Sequence, residues 1–389
     1  MNNGRYVFSR LTDFIPRYEL QKCIDRYNGD YRTRELKCWD QFLAMCFGQI
    51  THRESMRGII ICLSAHRDKL YHLGFRSEIA RKTLADANES RDWRIYADFA
   101  QVLIAEAKKL YAGNEEFEFE LDGTAYALDS TTIDLCITVF KWAKFRKTKG
   151  AVKLHTLLGI NGSIPVFIHI SDGKLGDVHV MDILEYEAGA YYIMDKAYVD
   201  YKRLHRIHTA RAFFVTRAKT DTAFIRIYSR KVSGAAKKTG VRCDQIIRFT
   251  GHKALKNYPE KLRRVKYYDK EKDKCYVFLT NNLTLKPKSI ADLYKARWRI
   301  ELFFKWIKQN LRIKVFWGHS ANAVKIQIWT AVCTYLIVAI MKKKLNLRQS
   351  IYEILQILSV SVFDKNSLNK LFSEKLLQNS DTDIQQSLF

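Results

Sequence analysis

Apolar residues recur at intervals of three and four in Trp39–Phe47 (WDQFLAMCF) and again in Trp93–Leu110 (WRIYADFAQVLIAEAKKL). That is the period of an amphipathic helix, and it predicts an all-helical region at the start of the chain. An acidic stretch, Glu115–Asp122, closes on Asp122-Gly123, a turn signal that predicts a boundary. Beyond it the period changes to two. Tyr126–Asp129 alternates, Ala151–Ile160 alternates throughout, and Asn161-Gly162-Ser163 turns the chain back into Ile164–Ile170. Two short apolar runs follow, Tyr191–Met194 and Phe213–Thr216, each preceded by a helical pattern (Val180–Ala188 and Tyr198–Ile207). A meander followed by helix, strand, helix, strand predicts an α/β fold with a mixed sheet. Residues 218–285 read as a β-rich insertion with strands at Phe224–Tyr228, Gln245–Phe249 and Lys274–Thr280, and from Ser289 the period is helical again. The longest apolar run, Ala331–Met341, is about half of a membrane span. It predicts a buried helix and no membrane association.

Composition changes the picture in one respect. The 66 Lys and Arg against 41 Asp and Glu leave a net charge of +25, and residues 129–314 alone hold 39 basic and 17 acidic residues. An average metabolic enzyme is not expected to look like this. A polyanion, above all nucleic acid, heads the partner list. With 47% hydrophobic residues the chain is too apolar to be a disordered basic protein. The eight cysteines show no zinc spacing and are expected to be free thiols in a reducing cytoplasm. The opening MNNGRYVFSRLTDF lacks the apolar core of a signal peptide, so a cytoplasmic location is expected.

Candidate chemistry concentrates in Ala291–Leu311 (ADLYKARWRIELFFKWIKQNL). On one helix Tyr294, Arg297, Glu301, Lys305 and Lys308 share a narrow stripe, and the other faces are apolar. Such a stripe is either a solvated, salt-bridged face or the polar wall of a site. Two further carboxylates favour the site. Asp129 ends one predicted strand (LDSTT) and Asp195 another (IMDKAY), where α/β sites are built. Phosphoryl transfer on nucleic acid uses hard oxygen ligands for two divalent cations roughly 4 Å apart, a need that two Asp and one Glu can meet. Asp134, Asp172, Asp177 and Asp200 are competing carboxylates, Asp200 with a better claim to the first turn of a helix. Lys141–Lys153 (KWAKFRKTKGAVK) contains Lys141, Lys144, Arg146, Lys147 and Lys149 with interleaved aromatics, which reads as a DNA-backbone groove or as a solvated face. Arg217 and Lys219 are further phosphate candidates.

The spacing Tyr294-x2-Arg297-x3-Glu301-x6-Lys308 resembles the Y-R-E-K signature of the insertion sequence 4 family of bacterial DDE transposases. Asp129 and Asp195 resemble that family's two catalytic aspartates, with Lys196 where many relatives carry Arg. The resemblance implies an RNase H-like core split by the β-rich insertion. It also implies two Mg2+ ions (Mn2+ as substitute) held by Asp129, Asp195 and Glu301. DNA phosphates would be held by Tyr294, Arg297, Lys308 and Lys305, with Trp298 stacking or wedging and Tyr276 as the candidate for stacking an unpaired base. The expected organisation is a helical domain at 1–115 for DNA-end recognition, core at 116–217, insertion at 218–285, catalytic helix at 286–320, and a helical region at 321–389 for dimerisation. The implied function is cut-and-paste transposition by a nucleoid-associated homodimer on paired double-stranded ends. An RNase H-like nuclease that cleaves without joining, and a DNA-end-binding protein without catalysis, are the alternatives.

Overall fold

The computed structural model describes residues 4–112, 121, 123–136, 138–146, 149–310 and 316–373, and only the backbone at 144–146, 149, 306, 309 and 310. The chain divides into two compact units: Met1–Ala112, Leu135–Trp142 and Lys305–Phe389 form one, Gly113–Asp134 and Ala143–Phe304 the other.

The first unit is helical. Helix Ala321–Lys344 packs against Arg94–Tyr111 and Cys38–Ile50 and is buried from Ala323 to Met341 apart from Lys325. It is long and apolar enough to cross a bilayer, yet nearly all of its apolar stretch is buried inside the protein. Ser320 caps its first turn by accepting from the Ala323 N–H at 3.1 Å. The Asn322 amide donates to the carbonyls of Asn88, Glu89 and Arg91. Within the bundle, the buried Gln41 side chain accepts from Arg91 and Tyr96 and donates to Asn88, so a polar cluster among apolar helices is hydrogen-bonded.

The second unit is built on one ten-stranded sheet. Its strands are β1 (Ala125–Leu135), β2 (Lys144–Arg146), β3 (Lys149–Gly159), β4 (Ile164–Asp172), β5 (Tyr191–Met194), β6 (Phe213–Arg217), β7 (Phe224–Arg230), β8 (Val241–Phe249), β9 (Leu262–Asp269) and β10 (Lys274–Thr280). The order is β2-β3-β1-β5-β6-β10-β9-β8-β7, with β4 also on β3. β5 runs parallel to both β1 and β6, and helix Tyr201–Thr209 makes the crossover between β5 and β6. The subset β4-β3-β1-β5-β6, a meander continued on the far side of β1 by two parallel strands, is an RNase H-like core. β7 to β10 extend the same sheet as an antiparallel half. Leu128, Tyr192, Met194, Tyr198, Phe214, Ile247 and Leu262 belong to the core beneath it.

Three local expectations change. β1 continues past Asp129 to Leu135, because Ser130–Ile133 is rich in β-branched residues; Asp129 sits where pairing with the shorter β5 stops, not at a strand end. β9 was not apparent because two of its inward positions are charged, the fully buried Arg263 and Asp269. In place of a helix over Val180–Ala188 there is only a short helical turn, Asp177–Asp182, whose last carbonyls at Met181 and Asp182, with that of Leu184 beyond it, accept from the Arg206 side chain rather than from a continuing helix.

Candidate active site

Parallel register assembles the first part of the site. Leu128 on β1 is opposite Met194 on β5, and Met194 is opposite Thr216 on β6. The next residues are Asp129, Asp195 and Arg217, so three charged groups follow three buried residues in a row across adjacent strands about 4.8 Å apart. Arg217 donates from Nε and Nη2 to Asp195 Oδ1 at 3.1 and 2.7 Å.

The second part comes from the polar stripe. It is carried by two helices, Pro287–Ala296 and Trp298–Asn310, with Arg297 in right-handed helical conformation at the junction. Ile290, Ala291 and Leu293 are buried, and the Tyr294 ring packs 5.0 Å from Phe278 of β10. Arg299 donates to the Ile160 carbonyl at 2.8 Å, tying the second helix to the β3–β4 turn. So held, Tyr294 Oη donates to Asp195 Oδ1 at 3.1 Å. Arg297 donates from Nη1 to Asp129 Oδ2 at 2.9 Å and from Nη2 to Glu301 Oε1. One guanidinium thus bridges Asp129 and Glu301, residues brought together from β1 and a helix near the far end of the unit.

The electrostatics record the crowding. Burial pushes the Asp129 carboxyl above its usual range and the charges of Glu301 and Asp195 add to this, against the Ser130 N–H and Arg297. Burial also acts to raise Asp195, but Arg217, the Lys196 N–H and Tyr294 outweigh it and hold the group below its usual value. Burial pushes the Tyr294 hydroxyl up to about 12, with Asp195 contributing. Burial works against the charge on Arg297, yet Tyr294, Glu301 and Asp129 keep it raised. The same balance, with Asp195 as its main favourable partner, raises Arg217. The donor set suits a divalent metal: three carboxylates are hard oxygen donors, and Arg297 already places positive charge between two of them. As the side chains stand, no group of three ligands is arranged around a metal position among the described residues.

Around this cluster is a network that the sequence did not reveal. Ser130 Oγ donates to Asp177 at 2.6 Å, and Lys153 donates to Asp177 at 3.0 Å and to the Leu175 carbonyl. Asp177 therefore stands next to the residue that follows Asp129, already neutralised by a lysine whose side chain is 13% exposed. The signals were Asp177, already a competing carboxylate by sequence, and Lys153 within an alternating strand; what was hidden is that they meet. Burial pushes His155 down to about 4, and its Nε2 lies 2.9 Å from Ser171 Oγ.

The other candidates scatter. Lys305 and Trp298 are exposed, and Lys308 is half-buried. Lys219 donates to the Val199 carbonyl at 3.0 Å. Tyr276 is half-buried, 6.1 Å from the Phe278 ring, and lines a cavity of about 580 Å³ with Lys196, Arg217, Lys219 and Arg264. Lys141 is exposed; the segment after it is a β2–β3 hairpin rather than a loop. The side chains of Lys144, Arg146 and Lys149, and all of Lys147, lie outside the described residues. Asp134 is exposed on β1, and Asp200 caps helix Tyr201–Thr209 by accepting from the Arg203 N–H at 3.0 Å.

The geometry agrees with what similarity shows. The transposase DDE domain family matches residues 120–337, more than half of the chain, and a domain of unknown function matches residues 3–76. A provisionally named transposase of Sinorhizobium fredii is 32% identical over 262 residues, 67% of this chain and 71% of that one. A transposase assigned to insertion element IS5377 of Geobacillus stearothermophilus is 28% identical over 213 residues, 54% of each chain. One assigned to element IS4SA of a Synechocystis strain is 23% identical over 281 residues, 71% of this chain and 76% of that one. The piggyBac transposase in its synaptic complex with hairpin DNA gives a TM-score of 0.47 at 10% identity over 94% of this chain and 80% of that one, and the sheet order above, not this likeness, carries the fold. The row of Asp129, Asp195 and Arg217 and the helix bearing Glu301 all lie inside the matched residues, and the chain belongs to the DDE transposases, enzymes of DNA cleavage and transposition.

Proposed function

We propose that Asp129, Asp195 and Glu301 are the catalytic carboxylates of a Mg2+-dependent, cut-and-paste transposase of the insertion sequence 4 family, in its Y-R-E-K subgroup. The observation that carries this reading is the convergence of these three side chains, from two sheet strands and one helix, about the Arg297, Arg217 and Tyr294 donors. When bound, two Mg2+ ions (or Mn2+) supply Lewis-acid charge at the attacking and leaving oxygens of an in-line displacement. The three carboxylates are the groups that would hold them.

The chain's own residues do the rest. Arg297 and Tyr294 orient the carboxylates from the junction of the two helices and the helix before it, and Tyr294, Arg297, Lys305 and Lys308 are assigned to the phosphates of a DNA end. Arg217 and Lys219 do the same at the end of β6, and the basic run that follows β1 in the sequence, Lys141, Lys144, Arg146, Lys147 and Lys149, is assigned to the DNA backbone as well. Trp298, more than half exposed, is available to wedge against a base pair, and Tyr276 to stack an unpaired base. The first 115 residues take end recognition and residues 321–389 dimer contacts, so that a dimer holds two ends.

The test uses the element's own terminal DNA, Mg2+ and a supercoiled target plasmid. Wild-type protein is expected to nick the end and to join its 3′-hydroxyl to the plasmid; hydrolysis with no joined product would make the chain a nuclease. Glu301→Gln is expected to lose both reactions while still binding DNA. Unchanged cleavage by that variant would refute the site.

A further inference from the structure

The far edge of the antiparallel half carries a feature that the carboxylate row does not use. Between residues 224 and 257 there are nine Lys and Arg and a single acid, Asp244. Asp244 is buried, and both its oxygens accept from Arg263 at 2.8 Å. No exposed negative charge therefore stands in this segment, whereas an ordinary solvated surface intersperses both signs.

The cations are displayed on a strand with one side unpaired. β7 is the terminal strand of the sheet and pairs only with β8. Arg226 is exposed on it, Arg248 of β8 is exposed in register with Ile225, and the connection between the two strands exposes Lys231, Lys237 and Lys238. Between them Ile225 and Ile227 are 45% exposed and Tyr228 60%. An edge with this much exposed apolar surface is normally covered or charged. Here the charge is of one sign, which matches a phosphate backbone and not a mixed protein surface.

Sheet geometry sets how far this edge lies from the site. From β5, which leads into Asp195, the path runs through β6, β10, β9 and β8 to β7. Five steps of about 4.8 Å make roughly 24 Å. At 3.4 Å per base pair that is about seven base pairs of duplex. No single phosphate can touch both places, but one duplex with its end at the carboxylates can reach the edge.

We propose that the β7 edge and the β7–β8 connection form a second DNA surface, which grips duplex phosphates about seven base pairs from the cleavage position without reading their sequence. The distance rests on the assignment of the carboxylate site above; the surface itself does not.

The experiment measures binding of the full chain, across a salt series, to duplexes of the element's own end that extend 4 or 15 base pairs from the cleavage point on either side. The variant is Arg226→Gln/Lys231→Gln/Lys237→Gln/Lys238→Gln, whose side chains are exposed or lie outside the core. Each lost phosphate contact lowers the slope of log K against log salt by about 0.9, so the slope is expected to fall by about 3 to 4 on one of the 15-base-pair extensions and to stay unchanged on both short ones. Lys237→Gln/Lys238→Gln, confined to the connection, is expected to give about half of that fall and guards against misfolding of the larger variant. An unchanged slope on all substrates would overturn the proposal. So would an equal loss on the short duplexes or on single strands. A changed sedimentation coefficient without DNA, with the slope intact, would make the edge a protein interface and overturn it too. Glu301→Gln separates the two readings: if it still cleaves, the site assignment fails, while the slope measurement continues to judge the edge.

Discussion

Arg263 and Arg297 both hold carboxylates within the sheet-bearing unit, one in its antiparallel half and the other beside its parallel half. Arg263 is 1% exposed, meets Asp244 through two parallel 2.8 Å hydrogen bonds and also reaches the Leu285 carbonyl. One cation faces one anion, and the planar fork is matched. Arg297 instead divides its two terminal nitrogens between Asp129 and Glu301, and its Nε is buried with no hydrogen-bond partner. Three carboxylates stand about two arginines there, partly exposed, and burial pushes Asp129 upward, with the charges of Glu301 and Asp195 adding to it. The first arrangement is complete and holds a strand in place. The second is incomplete, with more negative charge than its own cations satisfy, and that surplus is what a cation-binding site requires.

The comparison predicts opposite responses to substitution. The largest effect is expected at the incomplete cluster: Asp129→Asn or Glu301→Gln should lower strand cleavage by about 10³-fold or more, since several kcal/mol of charge stabilisation are at stake, with DNA affinity retained. Loss of DNA binding in parallel with cleavage would mean that the cluster is structural, like Asp244–Arg263. At the complete pair, Arg263→Met leaves Asp244 buried without a partner and should cost about 3 to 5 kcal/mol in urea denaturation. Arg263→Met/Asp244→Leu should recover much of that loss. A double variant no better than the single one would show that the bidentate pair itself holds β8 to β9.

Next in size is the response to metal. Ca2+ at about 100 times its dissociation constant should stabilise the wild type by about 2.7 kcal/mol, and should not stabilise Asp129→Asn/Glu301→Gln, as read by thermal shift. Arg297→Lys replaces a two-way bridge by a point charge and should reduce cleavage by about 10- to 100-fold, the usual cost of losing a group that orients metal ligands. The corresponding Arg263→Lys should leave cleavage far less affected than stability.

The smallest effects distinguish the two aspartates by pH. Asp195 has a lowered folded-state pKa, so its contribution to stability is present above its unfolded value near 3.9 and is lost as pH falls through the folded one. Asp129 has a raised one, so its contribution is present below about 3.9 and is lost as pH rises through the folded value. At pH 7 Asp195→Asn should therefore lower the melting temperature and Asp129→Asn should raise it, the Asp129 difference closing below its unfolded value near 3.9 and the Asp195 difference only once pH has fallen through its lowered folded value. Two changes of the same sign would show that the aspartates do not share a crowded site.

How much of this could be read along the chain follows from the range of each interaction. Tyr294, Arg297 and Glu301 lie within two turns of helix, so the stripe was visible as spacing, and buried Ile290 and Leu293 on the other faces were visible as period. The short apolar strands before Asp195 and Arg217 were also visible, as was the apolar run in helix Ala321–Lys344. β9 was not, because Arg263 and Asp269 point inward and break the alternation that marks a strand; the partner that makes an inward arginine tolerable is 19 residues away. The Ser130–Asp177–Lys153 network was hidden for the same reason, since Asp177 is 47 residues from Ser130 and 24 from Lys153.

The sequence by itself determined most of the local frame: the majority of helices and strands, though not β9 or the turn at Asp177–Asp182, where the positive charge is concentrated, and which carboxylates follow short apolar runs or share a stripe. Those properties depend on neighbours a few residues apart, and residue type and period suffice for them. Only the tertiary structure decided that Asp195 meets Arg217, through the register of two parallel strands, and that Tyr294 reaches Asp195 across 99 residues. It alone decided that one guanidinium spans the 168 residues between Asp129 and Arg297. Strand order and register bring those groups together, and burial then fixes their charge, because the low-polarity interior penalises every ion that lacks a partner.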